Sequence, residues 1–249
     1  MAPFDLLPGE GRGPVAMAEV MEDKAHHGCP PIWAPAFAGE QILSKPAFTR
    51  AEPDARRASL IEAAARVLAR DGASGASVRS IAAEAGVSPG LVGHYFDGVD
   101  ALIAATYAHV GAQVSAALDT AMRAAGDEPR ARLLAYVTAS FAPPIADPAL
   151  LATWVAFWSL VKPRPDIAAL HDDIYGAYRS DLETLLAASG VTTADLRLAA
   201  IAITALVDGL WLELCLSPQT FTADEARAIA ERQIDALIST DPRTATDNR

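Results

Sequence analysis

Only two cysteines occur in 249 residues, Cys29 and Cys215. They lie too far apart for a disulfide framework and have no partners for a thiolate metal site, which suits a reducing compartment. Aromatic residues are scarce as well, 6 % of a chain that is 51 % apolar. Alanine-rich runs recur throughout and β-branched residues are scattered without alternation, so packed helices are favoured and no strand pattern stands out. No unbroken apolar run reaches the ~18 residues of a membrane span. The N-terminus lacks a basic start followed by an apolar core, so neither a membrane partner nor secretion is expected, and the default location is cytoplasmic. Positive charge is also short: 20 Lys and Arg against 31 Asp and Glu, net −11, which excludes a generally basic nucleic-acid coat. The deficit is uneven, at −3 over residues 1–49, only −1 over 50–100 and −7 over 101–249.

Prolines and glycines crowd the first 52 residues, as in "LLPGEGRGP" and "CPPIWAPAFAGE", with no sustained period. This segment reads as a disordered extension, and Met17 and Met21 offer alternative translation starts. His26, His27 and Cys29 lack a fourth ligand, so no metal site is expected. Helical periodicity begins at Asp54, where Leu60, Ile61, Ala64, Val67 and Leu68 recur at spacings of three and four. Asp71-Gly72 closes that helix, Ser77 is placed to cap the next, and Val78, Ile81, Ala82 and Ala85 form its apolar stripe. Gly86 permits a sharp turn, Val87 fills the angle, Ser88 caps a third helix and Pro89 opens it, with Leu91, Val92 and Tyr95 inward. A long helix from about 100 to 125 follows, then segments near 127–142, 146–161, 165–189, 193–216 and 222–239. The fold class is all-α. The expected organisation is an extension over 1–52, a three-helix DNA-binding domain over 53–113, a larger ligand-binding and dimerisation domain over 114–240 and a tail over 241–249.

A short helix set off by a perpendicular support helix fits the DNA major groove with its N-terminal end forward. The leading residues Ser88, Pro89, Gly90 and Leu91 are small, which lets helix-end amides approach phosphates and base edges. His94 and Tyr95 add donors at the far end. This helix holds no Lys or Arg; Arg79 on the support helix and Arg56 and Arg57 near the start of the first helix are the candidate phosphate anchors. Taken by itself, "AGVS" could equally be the turn of an ordinary αα-hairpin. The stretch "SVRSIAAEAGVSPGLVGHYFDGVDAL" resembles the DNA-binding domain of TetR-family transcriptional regulators over about 60 residues. That resemblance implies DNA contacts at Ser77, Arg79, Ser88, Pro89, Gly90, Leu91, His94 and Tyr95, and a homodimer reading a double-stranded palindromic operator. Two positions depart from the family pattern: Val99 stands where a phosphate-contacting Lys is frequent, and Gly93 where a polar or aromatic residue is. Both imply weaker anchoring.

In "ADPALLATWVAFWSLV", Trp154, Phe157 and Trp158 fall at i, i+3 and i+4. Tyr175 and Tyr178 lie one turn apart further on, and Asp208 precedes Trp211 by three. Such a stripe can be plain core or dimer packing. It can also be an aromatic cage for a cation, in which the carboxylate of Asp208 or Glu213 balances the charge. An Asp inside an apolar helix needs a partner, because burying it alone is costly. "TWVAFWSL" and "ALVDGLWLELCLS" resemble the C-terminal domain of the choline-responsive, BetI-like repressors of the betaine pathway. This implies a small-molecule inducer of the quaternary ammonium kind, bound by Trp154, Phe157, Trp158, Tyr175, Tyr178, Asp208 and Trp211. Family analogy also places residues 193–239 in a dimer bundle, which leaves Asp208 and Trp211 open to either role.

No nucleophile elbow, HExxH helix or phosphate loop occurs, so neither an enzyme nor a cofactor is expected. His171, beside Asp172 and Asp173, reads as solvated surface or a helix-dipole complement. The reading that follows is a ligand-responsive regulator, in the usual family mode a repressor released by its ligand. The alternative is a helical ligand-binding or scaffold protein without operator binding.

Overall fold

The computed structural model describes residues 51–192 and 195–239, which form nine α-helices and one 3-10 turn with no strand among them. Residues 1–50 of the expected extension, the tail and the cluster of His26, His27 and Cys29 lie outside the described residues, and the last two residues of the expected extension open α1 instead.

The order is α1 (Ala51–Gly75), α2 (Val78–Glu84), α3 (Pro89–Tyr95), α4 (Gly98–Ala124), α5 (Pro129–Thr138), the 3-10 turn Ala139–Phe141, α6 (Pro148–Val161), α7 (Pro165–Ala188), α8 (Leu196–Leu216) and α9 (Ala223–Ser239). Within α1, Gly72 at φ 67° and ψ −174° breaks the regular helix, so Asp71-Gly72 marks the turn the sequence implies. Four helices (α3, α5, α6, α7) begin with Pro, whose missing N–H costs nothing in the first turn. Asp147 caps α6 through Oδ1, which accepts from the amides of Ala149 and Leu150 at 2.9 and 3.0 Å. Ser77 caps α2 in a reciprocal box with Ser80, its Oγ accepting from the Ser80 amide at 3.1 Å. Ser88 stands at the α3 cap position without making a side-chain capping bond, contrary to its expected role, so its exposed hydroxyl is not committed to the helix.

Two apolar clusters organise the chain. The smaller joins α1–α3 and the start of α4 through Leu60, Ile61, Ala64, Val67, Ile81, Ala82, Val92, Phe96 and Leu102. Ile81 is wholly buried there, and truncating it to Ala costs about 2–5 kcal/mol. The larger cluster takes the rest of α4 and α5–α9; it also takes Leu68, which the helical period alone grouped with the smaller one. Val99 packs against both.

α6 lies along α1, the most extensive helix pairing among the described residues. Across it Thr153 Oγ1 donates to the Ala65 carbonyl at 3.2 Å. At the α6–α7 corner Arg164 pairs with Asp100 in the first turn of α4 and with Asp166. By length and hydropathy α4 and α8 would suit a membrane, which the lack of an unbroken apolar run did not suggest. Their apolar residues fill the larger core instead, Ile103, Tyr107, Val110 and Leu118 from α4 and Ala199, Ala200, Ile203 and Val207 from α8.

Candidate functional site

α2 and α3 meet at Gly86, whose φ of 67° turns the chain, and the Val87 amide reaches back to the Ala82 carbonyl at 2.9 Å. Arg66 and Arg70 of α1 clamp Glu84 of α2 at 2.7 and 2.8 Å, and these guanidinium groups hold its carboxyl below the usual range. The support helix is thereby tied to α1, with pairs that sit at the surface and add little stability each. Ser77, Arg79, Ser88, Pro89, Gly90 and His94 are exposed, while Leu91 and Tyr95 are half-buried, Tyr95 packing with Val92 in the smaller core. Arg56 and Arg57 are exposed too; the Arg57 guanidinium sits over the Phe96 ring at 4.9 Å, which holds it beside α3. Arg56 and Arg79 enter no ion pair among the described residues, so both cations remain available to an anion. Gly93 faces open space.

The larger cluster borders a part-open cavity of about 360 Å³. Its wall runs from Ala108 to Leu118 on α4 and from Leu170 to Asp181 on α7, a slot ~15 Å long at the helical rise. Val207, Asp208 and Trp211 of α8, Trp154 of α6, Tyr136 of α5 and Ser140 of the 3-10 turn close it. Gly111 sets the α4–α7 approach, since a Cβ there would meet Ile174 Cδ1 at 2.9 Å.

Five of the seven residues expected at a ligand site line this cavity: Trp154, Tyr175, Tyr178, Asp208 and Trp211. The two whose role was open between pocket and interface, Asp208 and Trp211, thus face inward. Phe157 and Trp158 are outside the lining. Phe157 is fully buried and stacked on Tyr107 at 4.3 Å, a support for the wall behind it. Trp158 acts at one remove. Its Nε1 and that of Trp154 both donate to Tyr175 Oη, at 2.9 and 3.0 Å, and Tyr175 donates onward to Asp208 Oδ1 at 3.0 Å. Burial pushes the Asp208 carboxyl up to about 6, against the opposing pull of the Tyr175 hydrogen bond and the Arg179 charge.

Periodicity pointed to neither Tyr136 nor the small α4 residues. Tyr136 stacks on Tyr178 with centroids 5.6 Å apart and donates to Asp181 at 3.1 Å. The recurrence of small residues in "AATYAHVGAQVS" was the available signal for a groove. His171 is a correction: packing of α7 on α4 leaves it half-buried, 2.9 Å from Tyr107 Oη and stacked near Tyr175, and desolvation lowers its pKa. Trp154 and Trp211 meet edge to face at 5.6 Å, and Trp211 Nε1 donates to the Ser140 carbonyl at 2.9 Å. The result is an aromatic chamber with one half-buried carboxylate inside and two exposed ones, Asp173 and Asp181, in its wall.

A helix-turn-helix head joined through α1, α4 and α6 to a helical domain with an aromatic cavity is the architecture of a transcriptional regulator. Residues 60–106 match the profile of bacterial regulatory proteins of the tetR family, and residues 129–239 match the BetI-type transcriptional repressor C-terminal domain. The HTH-type transcriptional regulator BetI of Burkholderia thailandensis is 37 % identical over 184 residues, 74 % of this chain and 94 % of that protein. The BetI of Paraburkholderia phytofirmans is 35 % identical over 186 residues, with the same coverage. Among solved structures, a transcriptional regulator from Pseudomonas aeruginosa PAO1 superposes with TM-score 0.70 at 44 % identity, covering 78 % of this chain and 96 % of that one. A regulator from Saccharomonospora viridis in complex with choline superposes with TM-score 0.62 at 20 % identity, covering 76 % and 97 %, a likeness of fold. The chain belongs to the TetR family of transcriptional regulators, with a BetI-type C-terminal domain; this is a non-enzymatic class.

Proposed function

We propose that the protein is a cytoplasmic repressor that binds a palindromic operator as a homodimer and is released by a small cation of the quaternary ammonium kind. The observation that carries the ligand class is Asp208, a carboxylate held by Tyr175 inside a chamber of indole and phenol rings. Aromatic faces attract a cation by up to ~2 kcal/mol or more when it is desolvated. An ionised Asp208 in the same space adds charge balance, and the cavity volume lies in the small-molecule range. The choline bound by the fold relative from Saccharomonospora viridis agrees with this chemistry.

Ser88, Pro89, Gly90 and Leu91 lead the α3 reader into the groove, Ser77, His94 and Tyr95 flank it, and Arg56, Arg57 and Arg79 take phosphates. On α8, Leu198, Ile201, Leu212 and Leu216 are large exposed apolar residues. With Ala202, Ala205 and Gly209 they form one uncharged stripe on the face away from the cavity, which suits a second copy of the chain. Ligand binding at Asp208 bears on α6 through Tyr175 and the two indoles, and α6 lies against α1 beneath the reading head. A ligand favouring one arrangement of the two heads would shift the population away from the DNA-competent one.

The test is calorimetry with choline and with its uncharged isostere 3,3-dimethylbutanol, followed by operator release. Binding of the ammonium with loss of DNA is expected. Equal binding of the uncharged isostere would overturn the cation reading.

A further inference from the structure

Of the residues that line the cavity, those on α5, the 3-10 turn and α6 are buried, and α8 adds two buried residues and the half-buried Asp208. The exposed lining residues all stand on two other helices: Ala108, Ala112 and Ser115 on α4, Asp173, Ala177 and Asp181 on α7. Spacings of three and four keep each trio on one face of its helix. The two trios form a pair of lips, and the cavity opens to solvent between α4 and α7.

The slot between the lips has a definite register. Tyr107 Oη meets His171 Nδ1 at 2.9 Å, and a Cβ on Gly111 would meet Ile174 Cδ1 at 2.9 Å. One turn forward on α4 thus matches one turn forward on α7, so the helices run side by side in the same direction. The Tyr107–His171 bond ties them at one end, and Tyr136 of α5, bonded to Asp181 at 3.1 Å, stands at the other. Between these ends Ile174, a half-buried lining residue, reaches across from α7 and rests on Gly111. Gly111 is buried and has no side chain, which gives the isoleucine a seat without parting the helices.

We propose that Ile174 is the gate of the cavity, seated on Gly111 when shut, and that ligand enters and leaves between the lips of α4 and α7. Its Cδ1 turns about χ2 between staggered wells, so the gate opens without moving a helix. The exposed apolar stripe of α8 lies on the face away from the cavity, so exchange does not wait for a dimer to part. The inference rests on the reading of this cavity as the ligand site and adds the route into it.

Stopped-flow tryptophan fluorescence reads the route, since Trp154 and Trp211 are in the wall. The ligands are choline and uncharged 3,3-dimethylbutanol; the proteins are wild type, Ile174→Ala, Ala112→Phe and a control, Ala116→Phe, at an exposed α4 position outside the lining. Ile174→Ala should raise association and dissociation rates together by about fivefold or more, with Kd within about threefold. Ala112→Phe adds bulk to a lip and should lower both rates together by about the same factor. Ala116→Phe should match wild type. The gate is steric, so the uncharged isostere should show the same ratios. Association rates within about twofold of wild type in both Ile174→Ala and Ala112→Phe, or changes confined to dissociation, overturn the inference and leave the ligand site intact. Binding of the isostere but not of choline overturns the ammonium reading, and the gate then stands or falls on the isostere's rates. Binding of neither overturns the cavity as the ligand site, and the inference with it.

Discussion

Tyr175 and Asp208, 33 positions apart in the chain, meet at 3.0 Å, and this one hydrogen bond organises the inner end of the cavity. The tyrosine oxygen spends its lone pairs on two indole N–H groups and its proton on the carboxylate. The bond therefore fixes the direction of all four side chains. It also explains how a carboxylate can sit in an apolar helix: it is partly desolvated yet keeps one good donor and an open side toward the cavity.

Asp208 should make ligand binding depend on pH. Its folded-state pKa of about 6 means that protons compete with a cation below that value. Affinity for tetramethylammonium is expected to rise from pH 5 to pH 7 and level off above, falling about tenfold per unit in the acid limb. Asp208→Asn should bind weakly and without that dependence, and titration calorimetry across the range reads both. His171 touches Tyr175 and also titrates on the acid side, so the comparison with Asp208→Asn isolates the carboxylate. The same shift bears on stability. The folded pKa is raised from 3.8 to about 6, so the contribution of the protonated carboxyl is complete below pH 3.8 and lost as pH rises through 6. This amounts to about 3 kcal/mol. Relative to wild type, the ligand-free Asp208→Asn protein should gain melting temperature at pH 7.5 and little at pH 4.

Trp158 contributes a donor rather than a cavity wall. Trp158→Phe keeps an aromatic ring but removes the 2.9 Å bond to Tyr175, so ligand affinity should fall by only about threefold to tenfold. A complete loss of binding with the fold intact would place Trp158 in the cage itself.

Arg79 is an exposed cation on the support helix. Arg79→Ala should weaken operator binding and reduce the slope of log K against log salt by about 0.9. The duplex can be one selected from random DNA by the wild-type protein, with fluorescence anisotropy as readout. An unchanged slope would remove Arg79 from the phosphate contacts.

The α8 stripe should hold the dimer. Leu198→Arg with Leu212→Glu places charges on the exposed face, and light scattering is expected to show a monomer with unchanged helical content. A dimer that survives both changes would locate the interface elsewhere.

Much of the architecture is legible without coordinates, because helices announce themselves through a period of three to four and through their ends. Ser77 and Pro89 mark starts that the structure keeps, and the segments expected near 127, 146 and 165 begin at Pro129, Pro148 and Pro165. The motif around Gly86 marks the reading head for the same reason, being a local turn between adjacent helices. The aromatic stripe could be seen too, but not sorted. Phe157 and Trp158 share the period of Trp154, yet the first packs under Tyr107 and the second reaches the cavity only through Tyr175.

The sequence by itself determined which residues are helical, which face of each helix is apolar, and that a carboxylate must find company inside α8. Tertiary packing decided whether an apolar face meets a neighbour or a cavity. That choice depends on how α4 and α7 approach at Gly111 and Ile174, and on partners 17, 21 and 33 positions apart converging on one tyrosine hydroxyl and its carboxylate. Periodicity carries no term for such distances, so Tyr136 joins the cavity lining, and His171 comes to rest behind it against Tyr107 and Tyr175, only once the helices are assembled.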